Sequence, residues 1–226
     1  MNLERAPVEP DLVPPWTRNV WLYGLRTPFS LVFLGWITVS QVLSFTFRLD
    51  IYLYTVLASF LGLIVGAHYI EIATSGQKFS PFFRIPVKRM LAIGVISVLL
   101  GGAVGVYIAV TWNQLFLAFV VVETAAAMAY PREKPKVAHS YLSFGLAWGT
   151  IPFLASYFVQ SGSLNLLILG VSVFVGVSVV MMHHLAIMSR ESPAWKDALY
   201  LLRLYRYSVY SIGVLAIIWR IFSVTV

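Results

Sequence analysis

The sequence predicts an all-α fold, a polytopic bundle of about seven transmembrane helices. Three observations predict it. Of 226 residues, 59% are hydrophobic and 11% charged, with a mean hydropathy of +0.82. A soluble domain is about half apolar and a quarter charged. Seven stretches reach the roughly 20 apolar residues that cross a hydrocarbon core. Basic residues collect in alternate joints between them, as positive-inside topology requires.

The seven spans fall near residues 28–46, 51–74, 90–110, 113–130, 141–159, 164–188 and 207–226, so residues 26–226 form a single transmembrane domain. Residues 1–25 are a polar, Pro-rich segment. Their first 15 residues hold four prolines, three acids and one arginine. A signal peptide has a basic start and an apolar centre instead. The joints are marked by Arg48 and Asp50, Gly76–Lys88, Thr111–Trp112, Pro131–Lys136, Gln160–Ser163 and Arg190–Arg206. Phe79–Ile85 reads as an interfacial stretch. Ser189–Arg206 reads as an amphipathic helix on the membrane surface, with Leu199, Leu201, Leu202 and Leu204 turned inward.

Fourteen of the 16 Lys and Arg residues lie before span one or in the joints after spans two, four and six. Arg48 and Arg220 are the others. This places the N-terminus in the cytoplasm and, with seven spans, the C-terminus outside; the localisation is the cell membrane. The net charge of +7 therefore serves orientation and does not indicate nucleic-acid binding. The absence of cysteine excludes disulfides, thiolate catalysis and Cys-ligated zinc or iron–sulfur centres.

Gly62/Gly66, Gly101/Gly105 and Gly145/Gly149 each have the four-residue spacing that lets helices approach closely in lipid. Trp16, Trp21, Trp112 and Tyr130 fall near the predicted interfaces, as amphipathic rings do.

Polar groups collect at the cytoplasmic ends. His68 and Glu71 share a helix face at three-residue spacing. His183 and His184 end span six, and Glu191 follows two turns later. His139 precedes span five as an interfacial residue, and Lys196, Arg203 and Arg206 form a solvated or headgroup-facing row. His68 and His184 are either interhelical hydrogen-bonding residues or ligands. Glu71 either pairs with Arg84 or Arg89 or takes part in a site. His68, Glu71, His183, His184 and Glu191 are the candidate metal ligands, because imidazole and carboxylate suit transition metals or haem. Glu123 lies about ten residues into span four, where an ionised carboxylate costs several kcal/mol. It is protonated, hydrogen-bonded to a neighbouring helix, or handles protons in a carrier.

Four places resemble the UbiA superfamily of intramembrane prenyltransferases. Leu25-Arg26-Thr27-Pro28 is similar to the family's arginine–proline entry. Gly66 to Gln77, with Phe83 to Arg89 after it, falls where the family carries its first Asp-rich motif and a basic stretch. Tyr130 to Lys136, followed by Ser143 to Pro152 and Tyr157 to Gly162, resembles the family's tyrosine–lysine loop and glycine-rich helix. His183 to Leu199 aligns without gaps to the second Asp-rich motif. The match covers most of the chain.

The resemblance implies a UbiA-like bundle with Mg²⁺–diphosphate held between the two motifs. Glu71 and Glu191 would be the candidate catalytic residues, as Mg²⁺ ligands. Arg89, Lys134, Lys136, Lys196 and Tyr130 would receive the diphosphate or another headgroup. The departures are specific. The first motif reads Ala67, Glu71 and Ser75; the second reads His183 or His184, Ile187 and Glu191. Two carboxylates stand where the family uses about four, isoleucine cannot ligate, and Trp195 replaces the glycine before Lys196. The family has nine spans and seven are counted here. Departure of an allylic diphosphate relies on metal and cations to stabilise its charge.

The favoured expectation is therefore a non-catalytic UbiA-like membrane protein, an accessory subunit with partner membrane subunits or a binder of an isoprenoid, quinone or lipid. The alternative is an active divergent prenyltransferase using Mg²⁺. The third is a redox subunit carrying haem or a metal on the histidines.

Overall fold

A computed structural model describes residues 27–74, 86–131, 140–191 and 196–224. Residues 1–26, the interfacial stretch Phe79–Ile85, and Lys134, Lys136 and His139 lie outside them. The described residues form seven helices: α1 Thr27–Val42, α2 Leu49–Thr74, α3 Val87–Thr111, α4 Phe116–Ala129, α5 Tyr141–Ser161, α6 Leu166–Glu191 and α7 Lys196–Val224. Five of them, α2, α3, α5, α6 and α7, are long and apolar enough to cross a membrane, and α1 and α4 are shorter apolar helices.

Short polar caps set several boundaries. Ser140 starts α5 by accepting the Ser143 N–H at 3.2 Å. Asn165 starts α6 by accepting from Ile168 N at 2.9 Å. The Asn113 side chain accepts from Leu115 N at 3.0 Å, so α4 begins at Phe116 and not at Asn113. Each satisfies an N–H that a helix start leaves without an internal partner. Gly162 closes α5 at φ 71°, the left-handed conformation a helix end favours for glycine.

The expected surface helix over Ser189–Arg206 does not form. Ser189 to Glu191 end α6, and Lys196 to Arg206 are the first turns of a single 29-residue helix. Nothing between Lys196 and Ser211 breaks the helical pattern: there is no proline or glycine, and Asp197 suits the positive end. The inward stripe is Ala198, Leu202, Tyr205 and Val209, at helical spacing. Leu199, Leu201 and Leu204 are exposed, a surface suited to lipid.

Each helix packs on its chain neighbours, and α7 returns to α1, so the seven form a closed ring. The α1–α5 contact runs across its middle. Two stretches widen into π-helix, Phe60–Ala67 in α2 and Leu146–Thr150 in α5.

Glycines sit at the crossings. A Cβ on Gly101 would stand 2.7 Å from both Ala58 O and Gly62 N of α2. One on Gly149 would stand 2.6 Å from Gly176 Cα of α6, and one on Gly213 3.1 Å from Gly35 Cα of α1. All three predicted pairs lie at helix contacts. Where the obstacle is backbone, relief requires the helices to separate. Gly101→Ala is expected to lower stability by about 1–3 kcal/mol, the range for overpacking. Gly170→Ala, with nothing within 4 Å, is expected to leave it unchanged or slightly raised. Thermal unfolding of both variants in mild detergent checks the contrast.

Candidate functional site

The end of the bundle that holds His68 and His183 is filled by rings. His68 follows the π-helical stretch of α2 and is buried. Its imidazole stacks on Trp148 of α5, centroids 5.1 Å apart and planes at 16°. Phe29 of α1 meets both edge-on, at 5.8 and 5.1 Å. Phe144 continues the layer to Tyr130 at 5.6 Å and to His183 of α6 at 4.5 Å. Such ring pairs add about 0.5–1.5 kcal/mol each beyond the apolar area they bury. Between Ala67, Ala126, Tyr130 and Trp148 a small gap remains, with no room for water.

The layer unites three of the expected site residues, His68, Tyr130 and His183, through two rings the sequence did not single out. Glu71 is half-buried one turn beyond His68; Thr74 ties that turn to the chain just after α4 by donating to Pro131 O at 2.9 Å. Arg89 is exposed on the first turn of α3, and His184 is exposed beside Tyr141. Glu191 and Lys196 end α6 and begin α7, with side chains outside the described residues. Among the described residues no three His, Asp or Glu side chains gather as a metal site.

A second polar locus lies deeper. Glu123 occupies the middle of α4 and lines a cleft between α2, α3, α4 and α5 with about 40 Å³ open to water. The hydroxyl residues Thr55, Ser59, Thr124 and Ser156 share its wall. The Glu123 side chain is partly exposed, yet its Oε1 is enclosed and accepts no hydrogen bond. Water fits: a single molecule needs roughly 10–15 Å³ of such space. None of the residues lining the cleft is Lys, Arg or His.

At the far end a glutamine pair secures a turn. Gln160 of α5 donates to Gln41 Oε1 at 2.9 Å and to Arg48 O at 3.0 Å, and accepts from Arg48 N at 2.8 Å. Arg220 of α7 donates to Ser44 O and Phe45 O on the same turn, at 3.2 and 2.8 Å. Arg48 and Gln160 mark joints in the sequence and Arg220 stands apart by its charge, but Gln41 and the pairing itself were not singled out. The available signal was Gln41 inside the first apolar span and Gln160 at the edge of the fifth.

No protein-family model, curated protein or solved structure matches this chain.

Trp148 touches most of the aromatic layer, so Trp148→Ala is expected to cost about 3–5 kcal/mol, the range for large-to-small core substitutions. Trp148→Phe, which keeps a ring against His68, is expected to cost clearly less. Denaturant titration of the detergent-solubilised variants measures the difference.

Proposed function

We propose that this chain is a non-catalytic, UbiA-like multi-pass membrane protein that serves as an accessory subunit of a membrane complex, with its N-terminus in the cytoplasm. The observation that carries this reading is the unbroken run of rings from His68 through Trp148 and Phe144 to His183. In the scaffold the sequence resembles, the space between the α2 and α6 motifs holds a metal–diphosphate. Here aromatic side chains occupy that level. Of the motif positions only Glu71 and Glu191 are carboxylates; Ala67, Ser75 and Ile187 are not.

The chemistry points the same way. A diphosphate needs a wet, polar recess and several oxygen ligands on Mg²⁺. A layer of stacked rings offers neither. The gap beside Trp148 admits no water, so an isoprenoid, quinone or lipid tail finds no room at that level. Apolar ligands would then associate with the outer surface, where residues such as Leu99, Leu167, Phe174 and Trp219 are exposed. The same surface suits partner helices.

Extraction from native membranes in mild detergent tests the proposal. Polypeptides travelling with the chain are identified by mass spectrometry and lipids by lipid analysis. Partner membrane proteins in fixed stoichiometry are the expected result. A lone 25.3 kDa chain carrying a prenyl lipid would contradict it.

A further inference from the structure

We propose that the Glu123 cleft is a binding site for a single monovalent cation, for which a proton competes. The inference does not depend on whether the chain works alone or as a subunit.

Charge comes first. Glu123 is the one acid in the cleft wall, and no basic residue lines it. An ionised carboxylate among apolar helices requires a positive partner. Neither α2, α3, α4 nor α5 supplies one at the cleft, so the partner must enter it. A divalent ion would leave one uncompensated positive charge in the same low-dielectric surroundings. A monovalent cation or a proton leaves none.

Shape and ligand chemistry agree. About 40 Å³ admits a bare metal cation or a water. Hard cations take oxygen ligands, and the wall is rich in oxygen. Thr55 donates its own hydroxyl proton to Ile51 O at 2.7 Å, which leaves its lone pairs for another partner. Ser59, Thr124 and Ser156 add three more hydroxyls. Gly62, Gly101 and Gly102 also line the wall. Finally, Glu123 Oε1 has no hydrogen-bond partner among the described residues, a condition that protonation, or a turn of the carboxyl towards a cation in the cleft, would relieve.

The test is thermal unfolding of the full chain in mild detergent while sodium chloride replaces choline chloride at constant ionic strength. Choline is the control cation because its methylated nitrogen cannot take close oxygen ligands as a bare metal ion does. The expected result is a saturable upward shift of several degrees with sodium, as binding to the folded state requires. That shift should weaken as the pH is lowered and protons compete. Glu123→Gln, which keeps the shape and removes the charge, should lose it. Ser156→Ala, a smaller change that keeps the carboxylate, should raise the half-saturating sodium concentration several-fold. No sodium response in the unaltered protein would overturn the site. So would an equal response in the protein and in Glu123→Gln; should that variant not fold, an unchanged half-saturation in Ser156→Ala would overturn it.

Discussion

Gly62 and Gly101 set the backbones of α2 and α3 in direct contact, and the placement of the polar residues follows from that approach. Dispersion between close backbones does much of the work that the hydrophobic effect does in water, because lipid is as apolar as the helices themselves. The same device recurs where Gly149 meets Gly176 and Gly35 meets Gly213. It draws α5 onto α6 and α7 onto α1, and so closes the ring. The π-helical stretches lie at two of these crossings: Gly62 and Gly66 are in one, Gly149 in the other. Each widens the helix beside a ring-bearing residue, His68 in α2 and Trp148 in α5, and these two stack.

The interior polar groups divide by how they are satisfied. Gln41 and Gln160 meet each other and the Arg48 backbone. Ser40 donates to Phe153 O, and Thr38 to Leu34 O, within or between helices. His68 is wrapped in rings. Glu123, like Gln41 Nε2 and Tyr69 OH, keeps a buried polar atom without a hydrogen-bond partner among the described residues, and it alone of these three lines the cleft. A buried polar group without a partner is rare enough to need a specific reason. The reason proposed is a small cation that the cleft is sized to admit.

The helical class was legible because apolar length and loop charge are read one residue at a time. The glycine pairs were legible as well, since small residues at four-residue spacing have few other uses in an apolar helix. What escaped depends on contacts between distant segments. Ser189–Arg206 carries enough charge to pass for a surface helix, yet Trp36 of α1 donates to Tyr205 at 3.1 Å and holds that turn against the bundle. No local pattern marks a π-helix or distinguishes Phe144 and Trp148 from any other core ring. Glu123 stood out in the sequence by its cost, but its cleft is assembled from four helices.

In the proposed UbiA-like reading, stacked rings occupy the level at which a prenyl diphosphate would sit. Equilibrium binding of a radiolabelled prenyl diphosphate to the purified protein, with and without Mg²⁺, tests it most directly. The expected result is no saturable, magnesium-dependent binding and no transfer to an acceptor. Saturable binding that requires Mg²⁺ and is lost in Glu71→Gln would contradict it.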